Sequence, residues 1–389
     1  MNYRKLKLGV SSALAGALFA GSALAGGFSR GDANTDILFE PGTANINAGF
    51  VYVSPQRTFD TIKGVKSTDS KYSDDYWIPN IAVSARPFDA FACALTYTQP
   101  IGASITYGSK ARTAEQAANA AASGGTNFNY ALSKNLYADE YGVTCDVKMP
   151  AGSGNFHLLG GVFLETINYT NNQFYGTLKL KDDGKVGYRL GVAYDIPEYA
   201  MRASLMYRSG VAHSLSGTFA PSAVAAGTLG TAALAATGAG NVPQSLKLGL
   251  QSGIAPGWLV YGSIEWTNWS KVDRLRTTIT GVGTSYDVFN YKDGWTIQAG
   301  VGHQFTDDIA GTLNLTWDQG VGTGADIQTD TWTLGAGAKI KAGPGDLQVG
   351  GAISYLTAGS QSTAQGASYN ATASGNWAYA VGASYNIKF

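Results

Sequence analysis

The sequence predicts an all-β protein, a 14-stranded antiparallel transmembrane β-barrel spanning residues 44–389, and three observations carry that reading. The first is alternation. At the C-terminal end Trp377, Tyr379, Val381, Ala383, Tyr385, Ile387 and Phe389 share one face, with Asn376, Ser384, Asn386 and Lys388 on the other, the period of a strand with one apolar side. The second is that no segment after residue 30 carries the run of about 20 apolar residues a spanning helix needs. The third is that short turns and long polar loops alternate along the chain, as in barrels that cross an outer membrane.

The chain opens with Arg4, Lys5 and Lys7 before an uncharged stretch rich in Ala, Gly and Ser that ends near Ala23-Leu24-Ala25. A basic start, a short apolar centre and a small-residue site describe a secretory leader, so residues 1–25 are expected to be removed by cleavage after Ala25. The strands are then expected at 44–59, 77–86, 91–100, 136–149, 156–170, 184–196, 201–219, 242–255, 258–279, 294–305, 309–319, 331–341, 347–357 and 375–389. Tight turns at Pro87-Phe88-Asp89, 150–154, Pro197-Glu198, Pro256-Gly257, Thr306-Asp307-Asp308 and Gly343-Pro344-Gly345 alternate with longer connections. Within 101–135 and 220–241, residues 114–122 and 223–236 are Ala-rich enough for short helices. Alternation puts Met201, Ala203, Leu205 and Tyr207 toward lipid and Arg202, Ser204, Met206 and Arg208 toward the lumen. Likewise, Ile264 and Trp266 point out and Glu265 points in. Closure into a ring is required because hydrocarbon offers no partner to an unpaired strand edge. The terminal Phe389 resembles the signal by which barrel-assembly machinery recognises its clients, which makes that machinery, outer-membrane lipid and a Gram-negative outer membrane the expected surroundings.

Composition narrows the function. With 27 basic and 27 acidic side chains and only 14% charged residues, the chain has no basic surface for a nucleic acid. His157, His213 and His303 lie far apart, so no metal is expected. Walker, dinucleotide and haem motifs are missing, so neither a cofactor nor catalysis is expected. Cys93 and Cys145 fall near the short-turn ends of neighbouring strands, on the apolar face. A disulfide and two lipid-facing thiols are both compatible with that placement.

Several stretches, Tyr207-Arg208-Ser209-Gly210-Val211-Ala212-His213, Val242-Pro243-Gln244-Ser245-Leu246-Lys247-Leu248-Gly249 and Glu265-Trp266-Thr267-Asn268-Trp269-Ser270, resemble the FadL-type outer-membrane transporters of long-chain fatty acids and other hydrophobic compounds. Tyr97-Thr98-Gln99-Pro100-Ile101-Gly102 is similar to the segment at which the family's third strand kinks, and makes Pro100 and Gly102 the expected lateral opening. The resemblance implies a short N-terminal hatch, here residues 26–43, whose Phe28, Ile37, Leu38 and Phe39 would plug the lumen and touch an apolar ligand. Where the family carries Asn-Pro-Ala in its hatch, this chain reads Glu40-Pro41-Gly42.

An amphipathic acid would need a cation beside its carboxylate, for which Arg208 is the first candidate and Arg202 and Lys247 the next. The alternative is that these residues pair with inward carboxylates such as Glu140 and Glu265. The function expected is passive uptake of a hydrophobic small molecule by a monomer. A porin for polar solutes and a receptor or adhesin barrel are the competing readings.

Overall fold

The computed structural model describes residues 26–389; the leader read at residues 1–25 lies outside the described residues. The chain closes into a ring of fourteen antiparallel strands. The first five are β1 (Ala44–Pro55), β2 (Tyr76–Phe88), β3 (Phe91–Thr98 and Gly102–Thr106), β4 (Ala131–Ala151) and β5 (Gly154–Gln173). The next five each run in two pieces: β6 (Gly176–Lys181 and Lys185–Ile196), β7 (Met201–Arg208 and Val211–Pro221), β8 (Leu234–Val242 and Ser245–Ala255), β9 (Trp258–Thr267 and Arg274–Ile279) and β10 (Gly283–Val288 and Gly294–Gln304). β11 (Ile309–Asp318), β12 (Thr331–Ala342), β13 (Gly345–Leu356) and β14 (Asn376–Lys388) complete the set, and pairing of β14 with β1, from Asn45 opposite Lys388 to Pro55 opposite Ala378, shuts the ring.

Alternation sorts the side chains as the sequence predicts. Leu164, Leu190, Leu205, Ile264, Leu313, Leu334 and Val381 are exposed on the outside, while Asn45, Thr144, Glu165, Asn314 and Asn386 are buried inside. Aromatic residues line up across the strands at the long-loop end: Trp266 faces Trp295, Trp317 faces Trp332, Trp332 faces Tyr355, Tyr355 faces Trp377, and Tyr52 faces Trp77. From Trp377 to Phe389, β14 covers about 40 Å at ~3.3 Å per residue, or about 30 Å across the membrane at a tilt near 40°. That height matches a bilayer core, with the aromatic belt at its outer boundary. Cys93 and Cys145 face each other directly on β3 and β4 and are joined by a disulfide, their Cα atoms 4.0 Å apart.

The differences from expectation lie beyond that belt. Residues 170–184 form no polar loop: β5 and β6 continue outward to a turn at Phe174-Tyr175. The helix expected at 114–122 does form but starts earlier, as α1 (Ser109–Ala122), capped by the Asp69 carboxylate, which accepts the Lys110 and Ala111 N–H groups at 3.0 Å. Residues 223–236 are helical only over Ala226–Leu229, and the strand resumes at Leu234. Pairing with β7 and β9 offers this chain regular hydrogen bonds that an exposed four-residue helix cannot match.

Candidate functional site

The N-terminal segment 26–43 lies inside the ring, touching inward residues of strands on opposite sides. Its first anchor is Phe28, packed edge-on against Phe289, Tyr291 and Trp269 with ring centroids 5.0, 5.6 and 6.3 Å away. These rings belong to an apolar cluster in the outer half of the lumen that includes Ile167, Leu178, Leu180, Leu215, Phe219 and Leu275. The second anchor is a 3-10 turn, Thr35–Phe39, at the short-turn end. Ile37 and Leu38 are buried there against Ala82, Ala92, Ala94, Ala193 and Leu159. Alanine at four of these inward positions leaves the room the turn fills. The barrel holds the turn by its backbone and its charges: the Ser84 hydroxyl donates to the Ile37 carbonyl, Arg86 to the Leu38 carbonyl at 2.5 Å, and Arg202 to Asp36 at 3.3 Å.

Arg202 also lies over the Phe39 ring at 4.2 Å, and that ring meets His157 edge-on at 5.0 Å. Of the Glu40-Pro41-Gly42 stretch, Glu40 accepts Lys388 at 2.6 Å. Gly42 takes φ +111° where a Cβ would lie 2.9 Å from the Phe389 carbonyl, a position only glycine fits.

Between the anchors the segment completes β3. The ladder of β2 with β3 ends at Asn80 opposite Thr98, and the next three residues, Gln99, Pro100 and Ile101, leave it. Their edge is taken by the N-terminal segment: Arg30 N–H donates to Pro100 O at 2.8 Å, Gly31 N–H to Gln99 O at 3.0 Å, and Gly102 N–H to Phe28 O at 2.8 Å. Ser29 and Ile101 form an antiparallel bridge. Gly102 admits the Arg30 guanidinium, which a Cβ there would meet at 2.4–2.6 Å, and Arg30 stacks over Tyr76 at 4.1 Å.

The three basic candidates all face the lumen, and each meets carboxylates. Arg208 donates to Glu140 at 2.8 and 3.0 Å and to Glu165, while Arg189 donates to Glu140. Lys247 stands 2.6 Å from Asp32 and 3.4 Å from Glu265. Sequence reasoning missed that two histidines also meet inward carboxylates: His213 joins the Arg208 cluster, 2.9 Å from Glu165 and 3.3 Å from Asp182, and His157 forms a separate one, 2.9 Å from Asp146 and 3.6 Å from Asp195. Their inward parity was readable, their partners were not. A cavity of about 400 Å³ remains between the segment and the wall, lined by Asn47, Asn80, Ser204, Gln251, Gln298 and Gln348 as well as Arg202 and Lys247. That size falls in the range of about 300–1,000 Å³ typical of small-ligand pockets.

The outer end is covered by loops. Arg57 donates to the Thr357 carbonyl at 2.8 Å and to the Ser374 carbonyl at 3.3 Å, and to the Thr329 hydroxyl at 2.8 Å, tying three loops together. Tyr291 donates to Asp326 at 2.6 Å in the connection between β11 and β12. Burial pushes the Asp326 carboxyl up to about 7 against the pull of that bond. A folded carboxyl that keeps its proton to about pH 7, against about 4 when unfolded, makes the cap most stable in acid; stability is lost as pH rises through about 4 to 7 and stays lower above. Hydrogen exchange in residues 319–330 should therefore be slower at pH 5 than at pH 8 after correction for intrinsic rates, by about 2–3 kcal/mol of opening free energy. Asp326→Asn should abolish the difference; an unchanged difference would refute the assignment.

A family model described as outer membrane protein transport protein (OMPP1/FadL/TodX) matches residues 10–389. The long-chain fatty acid transport protein of Salmonella typhi is 24% identical over 317 residues, covering 76% of this chain and 72% of that one. Among solved structures, a Pseudomonas aeruginosa FadL homologue superposes with a TM-score of 0.71 at 15% identity, covering 96% of this chain and 98% of that one. The Pseudomonas putida toluene transporter TodX gives 0.58 at 15% identity, covering 95% and 98%. The overall fold agrees with these structures, and the family match spans nearly the whole chain, so this outer-membrane barrel belongs to the OMPP1/FadL/TodX family of transport proteins.

Proposed function

We propose that the barrel takes up hydrophobic small molecules, long-chain fatty acids or compounds of similar apolarity, by binding and diffusion, with residues 26–43 as a hatch and the break in β3 as the exit. The observation that carries this reading is the pair of closures. The short-turn mouth is stopped by Thr35–Phe39, latched through Arg86, Arg202 and Ser84, while the edge of Gln99–Ile101 that β2 leaves is completed by Phe28–Gly31. An apolar ligand entering the cluster around Trp269 and Tyr291 competes with Phe28 for the same rings. Displacing Phe28 also removes its carbonyl from Gly102 N–H and frees the edge of β3. Relatives whose names state fatty-acid or toluene transport support the substrate class. No step calls for catalysis, and a monomer inserted through recognition of Phe389 suffices.

The test is a pair of measurements on one protein. Wild type in a planar bilayer should show no large steady ion current, and cells carrying it should accumulate labelled oleate or naphthalene. Deletion of residues 28–39 should raise conductance and remove the selectivity of uptake. Large steady current from wild type would identify a porin, and uptake no greater than in cells lacking the protein, unchanged by the deletion, would point to a barrel whose loops bind and through which nothing passes.

A further inference from the structure

Asp318, at the end of β11, is 4% exposed and turned into the lumen. Its Oδ2 accepts the Thr296 hydroxyl and the Gly26 main-chain N–H reaches the same carboxylate, while the neighbouring Gln319 Oε1 has no hydrogen-bond partner among the described residues. A cavity of about 50 Å³ adjoins it, lined in part by Gly26, Asp32, Lys247, Glu265 and Asp318. Three carboxylates thus share this space with one basic side chain, and Lys247 is already engaged by Asp32 and Glu265. A buried carboxylate without a cation of its own is costly, so this arrangement asks for a second positive group beside Lys247.

Gly26 is in place to bring it. The Gly26 main-chain nitrogen is directed at the Asp318 carboxylate. A Cβ on Gly26 would lie 3.1 Å from Asp318 Oδ1 and 2.9 Å from both the Gln319 carbonyl and Val321, so the position tolerates glycine and the contact is close. On the leader reading, Gly26 is also the first residue of the mature chain.

We propose that Asp318 is the binding site for the chain's own α-ammonium group. A leader peptidase of the exporting cell hydrolyses the Ala25–Gly26 peptide bond with one water; the carboxylate stays on Ala25, and the new amine on Gly26, protonated, pairs with Asp318 inside the barrel. Leader removal then does two things together: it supplies the cation the pocket lacks and ties down the end of the hatch next to Phe28. The 50 Å³ space suits an ammonium and a water molecule.

The test reads the amine rather than transport, so it stands apart from the uptake reading. Full-length protein is expressed with its leader, purified in detergent, and its N-terminus identified by mass spectrometry. It is then treated with acetic N-hydroxysuccinimide ester at pH 7, folded or denatured. The Gly26 amine should react about tenfold or more slowly in the folded barrel than in the denatured chain. Asp318→Asn should remove most of that protection while the barrel still migrates as a heat-modifiable band, and Asp318→Glu should keep it. If D318N fails to assemble, wild type and D318E decide. A mature chain starting elsewhere than Gly26, an amine as reactive folded as denatured, or protection unchanged in folded D318N would each overturn the proposal; the last two would leave Asp318 to a solvent cation.

Discussion

Joining Ser29 to Ile101 through a disulfide, as S29C/I101C in a C93S/C145S background, is expected to reduce uptake of labelled oleate to the level of cells lacking the protein, and a reductant is expected to restore it. The two residues already face each other in an antiparallel bridge, within the span a disulfide accepts. The cross-link welds the N-terminal segment to the edge of β3 at the point where the ladder from β2 has stopped. If diffusion requires this edge to part, removing the parted state should lower its population about 100-fold or more, since each ~1.4 kcal/mol of bias is a factor of ten. Each single-cysteine variant should transport as wild type does. Full uptake through the oxidised double variant would place the exit elsewhere.

Arg208→Ala is expected to destabilise the barrel by about 3–5 kcal/mol, the cost of breaking a buried ion pair from one side. Arg208 bridges Glu140 and Glu165, which are 1% and 0% exposed, and its guanidinium lies over the Phe163 ring at 4.4 Å. Without it Glu165 keeps the His213 ring, 2.9 Å away, and Glu140 keeps Arg189. Urea unfolding of the protein in lipid vesicles measures the loss. Adding Glu165→Gln to Arg208→Ala should recover about half of it, because fewer charges are left buried without a partner. Lys247, with a side chain 38% exposed, should by contrast cost about 1 kcal/mol or less on substitution with Ala. A R208A barrel as stable as wild type would mean that the cluster is solvated and idle, and would return Arg208 to the list of groups free to meet a ligand carboxylate.

These two sites differ in how far the sequence announced them. Pro100 and Gly102 were marked as a strand break by the resemblance of Tyr97–Gly102 to the family's kinked third strand, and the ladder does stop there. That Phe28, Arg30 and Gly31 fill the break was not legible, since those residues lie some 70 positions away and carry no periodicity. Ile37 and Leu38 read, with Phe28 and Phe39, as residues that plug the lumen and touch an apolar ligand. The structure puts them at 2% and 1% exposure behind Ala82, Ala92 and Ala94, where they serve the latch. The Ala-rich stretch at 223–236 was ambiguous for a related reason: propensity favours helix only weakly, and the neighbouring strands were ready to pair with it.

The sequence by itself determined which face of each strand meets lipid, where the short turns fall, how many strands there are, and that the end is an aromatic residue. These follow from a period of two and from turn chemistry, both local properties of the chain. Only the tertiary structure decided which charges meet. Glu165 and Arg208, Asp32 and Lys247, and Gly26 and Asp318 are brought together by the register of a closed ring and by the segment threaded through it. Closure converts many small local choices of face into a few long-range contacts, and no stretch of sequence contains those contacts.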